Sequence, residues 1–193
     1  LWLVGQATLD PTFLRVLSAQ LALLLQNQRQ HAEVQITNQL RAMVAEYLEL
    51  VGTLESRALF DAVLTAALPL LHVASAAIYS GEQDEAHLLL YASVPDQAHY
   101  PLLIDDVAHL VAERAPRQMH LEHPAALSVL ALPLWTHETL VGVLLVGLDE
   151  DERNPIQMRL VTFFAEQVTL LLRKARLFSQ HQQRARELFV LYE

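Results

Sequence analysis

The feature that most narrows the fold is the run from residue 140 to the end of the chain. The apolar stretch Leu-Val-Gly-Val-Leu-Leu-Val-Gly-Leu, 140–148, passes through an acidic loop, 149–153, into a helix that opens at Asn154 and Pro155. A short apolar run bounded by turn formers reads as a strand buried on both faces. Beyond the loop, Val161, Phe164, Val168, Leu171, Ala175, Phe178, Gln182, Ala185, Phe189 and Tyr192 alternate at spacings of three and four. All but Gln182 are apolar or aromatic, the pattern of a helix that keeps one seam against a partner helix. The combination predicts a compact sheet domain with a rod leaving it. That shape suits the passage of a mechanical change along an axis better than chemistry.

The 193 residues are 53% hydrophobic, enough for one core plus additional helix. A formal charge of −9 argues against nucleic acid, because phosphate binding needs a clustered positive field. Arg173, Lys174, Arg176, Arg184 and Arg186 gather on the last helix, where they read as a solvated face. The chain has no cysteine, which removes disulfides, thiolate metal sites, cysteine nucleophiles and thioether-linked cofactors together. That composition fits a reducing compartment, so the expected location is cytoplasmic. The longest apolar runs, 21–25 and 140–148, are too short to span a bilayer, so no membrane contact is expected within this segment. No charged start followed by a cleavage signal is present.

Residues 31–54 read as a helix, with Ile36, Leu40, Met43, Tyr47, Leu50 and Leu54 continuing the three-four alternation and Gly52 weakening its end. Ser56 is the expected N-cap of a helix over 57–71, whose face Leu59, Phe60, Val63, Leu64, Ala67 and Leu71 should pack on a sheet; Pro69 should fray its last turn. Strands at 75–80 and 87–93 form a hairpin. Helical spacing returns over 104–115, and 117–121 is extended. A second hairpin joins 127–134 to 139–148 across Trp135, Thr136, His137 and Glu138. Pro133 marks a strand end or an edge. Hairpins at both ends of a helix predict a mostly antiparallel sheet with helices against it.

Reactive constellations are sparse. His120 and His123 bracket Glu122, with His137 on a later loop; imidazoles and a carboxylate suit zinc or iron. On an extended segment, however, a spacing of three sends the two side chains to opposite faces, so no metal is expected. His31 and His181 lack the acidic-basic-Thr-Pro context of a phosphoacceptor histidine. The acidic residues 149–152 precede a helix N-terminus, where negative charge is favourable. With five glycines no phosphate loop can be assembled, and no serine, histidine and acid grouping stands out. The expected protein is not an enzyme.

The chain also resembles itself. Leu1–Gly5 matches Val143–Gly147 in character, and Gln20–Leu25 with Arg29 matches Gln167–Leu172 with Arg176. Residues 1–30 therefore read as the tail of a preceding, similar domain, and 31–55 as a connecting helix.

The ordered set from 56 to 178 resembles a GAF domain. It comprises the helix Ala58-Leu59-Phe60-Asp61-Ala62-Val63-Leu64, the strand Ala77-Ile78-Tyr79, then Leu130-Ala131-Leu132-Pro133-Leu134. After these come Leu140-Val141-Gly142-Val143-Leu144, Phe164-Ala165-Glu166-Gln167-Val168 and Arg173-Lys174-Ala175-Arg176-Leu177-Phe178. The resemblance implies an α+β fold with a central antiparallel sheet of five to six strands, helices on both faces, and long flanking signalling helices. Residues 179–193 would be an exit helix toward a further domain. It also implies a sensory or regulatory module of a signal-transduction protein that dimerises through its flanking helices. The dimer seam would be Val161, Phe164, Val168, Leu171, Ala175, Phe178, Ala185 and Phe189. A small-molecule pocket, where one exists, would use Tyr79, Tyr91, Tyr100, Ile104, Val107, Met119, His120 and Leu132; the competing reading is that these side chains fill the core. The ligand is unspecified, a covalent bilin is excluded by the missing cysteine, and the cyclic-nucleotide signature is not seen. The alternative is a structural spacer that binds nothing.

Overall fold

The computed structural model describes residues 11–80, 88–95, 104–121, 127–148 and 154–191. The chain divides into two units, Leu1–Ile36 and Thr37–Glu193. In the first, the described residues are all helical and belong to α1 (Pro11–Glu49). The second holds the rest of α1, α2 (Ser56–Leu71), β1 (Ser75–Ser80), β2 (Leu89–Val94), α3 (Ile104–Glu113), β3 (Arg117–Leu121), β4 (Leu127–Thr136), β5 (Thr139–Leu148) and α4 (Pro155–Leu191).

The five strands make one antiparallel sheet in the order β2-β1-β5-β4-β3. The two middle partners are the most apolar segments: every residue of β1 is buried, and so is every residue of β5 after Thr139. Gly142 of β5 stands opposite Ser80 of β1. A Cβ there would overlap the main-chain carbonyl oxygen of Tyr79 and touch Leu172 of α4. The absence of a side chain thus sets how closely these two strands and the last helix approach.

The second hairpin is tighter than the sequence predicts. Trp135 pairs with Leu140 and Thr136 with Thr139, leaving His137 and Glu138 as the turn, with His137 at φ 55°. Pro133 lies inside β4, opposite Val143, so it does not end the strand. Its position is still an edge, because β3 covers β4 only from Leu127 to Ala131 and a missing N–H costs nothing beyond that point.

In α2 the expected face is the observed one: Leu59, Phe60, Val63, Leu64, Ala67 and Leu71 are its buried residues. Ser56 proves to be the first helical residue rather than the N-cap, which is Glu55. Pro69 does not fray the helix, which continues to Leu71 and closes with His72 in the left-handed conformation, its N–H donating to the Leu68 carbonyl.

Alternation along the strands gives the sheet two apolar faces. Ala77, Tyr79, Val129, Ala131, Val143 and Leu145 cluster with Leu110 of α3 on one face. α2 and α4 lie on the other, where Phe60 meets Tyr91 edge-on with ring centroids 5.2 Å apart.

Candidate functional site

Two places in the second unit combine shape with polar chemistry: the α3 face of the sheet, and the face where α1 and α4 run together. On the α3 face, Met119 and Trp135 border the apolar cluster that contains Tyr79. Three buried polar atoms have no hydrogen-bond partner among the described residues: Ser93 Oγ, Arg117 Nη1 and Trp135 Nε1. All three belong to this face. Ser93 pairs with Ala77 and Arg117 with Ala131, both in the cluster, and residues directly opposite share a face. Each such atom left unmatched costs about 1–3 kcal/mol. Arg114, in the left-handed region at φ 50°, places its guanidinium 4.7 Å from the Trp135 ring centroid.

The structure divides the expected pocket. Tyr79 and Met119 lie on the α3 face. Leu132 pairs with Leu144 and so faces away from Ala131 and Leu145, toward the helices; Tyr91 meets Phe60 of α2. These two cannot join Tyr79 and Met119 in one cavity, since a sheet lies between them. Leu132 instead borders a groove of about 510 Å³ between the free edge of β4 and α4, with Arg114, Pro133, Trp135, Ala165 and Arg173. Tyr91 borders a second groove of about 350 Å³ between β2 and α4, with Leu89, Leu172, Arg176 and Gln183. Tyr100 lies outside the described residues, as do the side chains of Ile104 and Val107 on α3 and of His120, which pairs with Ser128. His123 and Glu122 are likewise outside. Among the described residues no group of three or more histidine or acidic side chains could hold a metal ion.

On the opposite face, α4 is tied to the domain at several points the sequence did not disclose. Gln157 Nε2 donates to the carbonyls of Leu71 and His72, at 3.2 and 2.9 Å, capping the end of α2. Arg176 Nη2 donates to Ser80 Oγ at 2.9 Å and to the Val141 carbonyl. Lys174 Nζ donates to the Leu48 carbonyl in the last turn of α1, where a cation also meets the negative end of the helix dipole. Arg176 is therefore an anchor rather than part of a solvated face, whereas Lys174 stays on the exposed face while it reaches Leu48. Replacing Gln157 by methionine, an apolar side chain of similar length, should lower stability by about 1–2 kcal/mol in urea titration, since two helix-end carbonyls lose their donor.

Two contacts of α1 and one of the turn that follows it set the relative direction of α1 and α4 within this unit. Arg41 stands over the Phe163 ring at 5.5 Å, Lys174 meets Leu48, and the Phe178 ring closes on Gly52, whose φ of +97° and lack of a Cβ admit it. Residue numbers rise together in all three pairs, so the helices are parallel. α4 then continues past the end of α1.

The expected dimer seam is split by this packing. Val161, Phe164, Val168 and Leu171 are fully buried inside the unit and Ala175 nearly so, hence they are not available to a second chain. Their three-four spacing serves the unit's own core. Phe178 is 38% exposed, Ala185 is exposed, and the Phe189 side chain lies outside the described residues.

Comparison with known proteins agrees with this architecture. The GAF domain family model matches residues 55–172, and the chain belongs to that family. A GAF domain assigned to a sensor histidine kinase from Pseudomonas syringae pv. tomato is similar at 16% identity and a TM-score of 0.55, covering 81% of this chain and 97% of its own. One from a phosphoenolpyruvate-protein phosphotransferase of Coxiella burnetii is similar at 12% identity and 0.56, covering 78% and 98%. Free methionine-R-sulfoxide reductase from Neisseria meningitidis shares the fold at 12% identity and 0.53, covering 72% and 92%. No curated protein matches the sequence. No helix among the described residues is long and apolar enough to cross a membrane.

Proposed function

We propose that this GAF domain is a non-enzymatic sensory or regulatory module of a cytoplasmic signal-transduction protein. It pairs with a second copy through the outer half of α4 and passes a ligand- or partner-induced change along that helix. The observation that carries the reading is the parallel arrangement of α1 and α4. A displacement at the sheet moves the buried half of α4, and an unbroken helix delivers it to residues 179–188, which are all exposed. Leu188, 59% exposed, continues the apolar supply beyond the domain.

The input end of this reading is the α3 face. Two unmatched N–H donors, Arg117 Nη1 and Trp135 Nε1, favour a small molecule with acceptor oxygens, such as a carboxylate or phosphate. A ligand acts as a signal only if its affinity differs between two arrangements of the helices. Thermal-shift screening with organic acids, nucleotides and tetrapyrroles tests this: a binder should raise the melting temperature, and Trp135→Phe should diminish that rise. Close packing of Leu110, Ala131, Val143 and Leu145, all fully buried, favours the spacer reading, for which no ligand in the screen would shift the melt.

The pairing is tested separately. Leu188→Glu should weaken self-association at least tenfold in sedimentation at tens of micromolar while leaving the melt unchanged, because the residue touches no core. Association that is indifferent to this change discards the outer half of α4 as the contact.

A further inference from the structure

We propose that the apolar face of α1 from Leu14 to Leu25 is a docking surface for the sheet of another unit of this same fold, one that precedes α1 in the same polypeptide. The inference rests on a residue-by-residue comparison with α4. Gln20–Leu25 aligns with Gln167–Leu172, and extending the match backward sets Leu14, Leu17, Leu21, Leu24 and Leu25 against Val161, Phe164, Val168, Leu171 and Leu172. In α4 these five are 0–1% exposed inside their own unit, whose sheet and α2 both pack on α4; in α1 the counterparts are 42–61% exposed. Leu170, on the outer side of α4 at 50%, corresponds to Leu23 at 61%, so the copies agree at this outward position and differ where α4 is buried.

The size pattern identifies the occupant. Of the small buried residues of α4, Ala165 and Thr169 correspond to the small Ser18 and Ala22, and Ala175 corresponds to Gln28. A helix that meets one other helix needs only a narrow stripe, here Leu14, Leu17, Leu21 and Leu24. The wider face, with Leu25 and small residues beside that stripe, is what α4 uses against a flat sheet. Charge complementarity agrees. Arg29 corresponds to Arg176, whose partners are a strand carbonyl and a strand hydroxyl. A sheet offers a guanidinium such acceptors, whereas the carbonyls of a second helix are spent within it.

Hydrogen exchange on the natural polypeptide that carries residues 1–193, compared with residues 1–193 alone, tests the proposal. Amides of Leu14–Leu25 should exchange on the order of 100-fold more slowly in the longer protein. Leu21→Glu with Leu24→Glu should abolish that protection without altering the melt of the unit from Thr37 onward. Unchanged exchange in the longer protein overturns the proposal, as does an upstream sequence with no sheet of this class. If residues 1–193 alone form a dimer that the same double change dissolves, the occupant is a second copy and the proposal also fails.

Discussion

Gly142→Ala is expected to cost the second unit about 3 kcal/mol or more, lowering its melting temperature by roughly 6–12 °C. The reason is what the new methyl would strike. It would overlap the Tyr79 carbonyl oxygen, which is main chain in the middle of the sheet and cannot rotate aside. Relief requires β1 and β5 to separate, which strains the Tyr79–Val143 and Ser80–Gly142 pairings. The same movement displaces the acceptors of Arg176, Ser80 Oγ and the Val141 carbonyl, and presses on Leu172. A single added carbon should therefore loosen sheet and helix together. Thermal and urea unfolding monitored by circular dichroism would show it, and an unshifted midpoint would mean that the two strands have slack the packing does not reveal.

How much of this was readable in the chain depended on whether one residue's neighbours decide its role. The α2 face was legible because its apolar spacing admits one helical reading, and all six residues lie where that spacing puts them. The strands at 75–80, 117–121 and 139–148 were legible for the same local reason. The seam was not, because a three-four alternation states that a helix has one covered face and is silent on the cover. From Val161 to Ala175 the cover is the domain's own sheet together with its neighbouring helices. The polar Gln182, the one break in the stripe, lies in the exposed stretch that begins at Leu177, and was the available hint that the helix changes surroundings.

The pocket was harder still. Which face a strand residue occupies depends on register, and the pairing shifts between Ile78 and Tyr79 on the β2 side and between Leu134 and Trp135 in β4. Tyr91, unpaired at the first of these shifts, fell on the helix side for that reason, and no local pattern announces such a shift. Leu132 lies in regular register opposite Leu144, so plain alternation from Ala131 turns it toward the helices. Arg176 differs from Arg173 in the same non-local way: both are cations on one helix, but Arg176 follows Leu172 by one turn and reaches the strand beneath it.

Phe164→Ala separates the two roles of α4 most directly. Phe164 is fully buried, and its removal should leave a cavity between α4 and the sheet that costs about 3–5 kcal/mol. For a unit whose net stability is on the order of 5–15 kcal/mol, that is a large fraction of the whole. If α4 were a free rod, the same change would weaken association between chains and leave each chain's own unfolding untouched. The packing requires the reverse: a large fall in the urea midpoint of the monomer, measured at a concentration too low for pairing. The exposed outer half predicts the complementary pattern for Leu188→Glu, altered association with unaltered unfolding. Only a helix fixed at one end and free at the other gives both results, and a module that converts a change in its sheet into movement of a distant segment needs both.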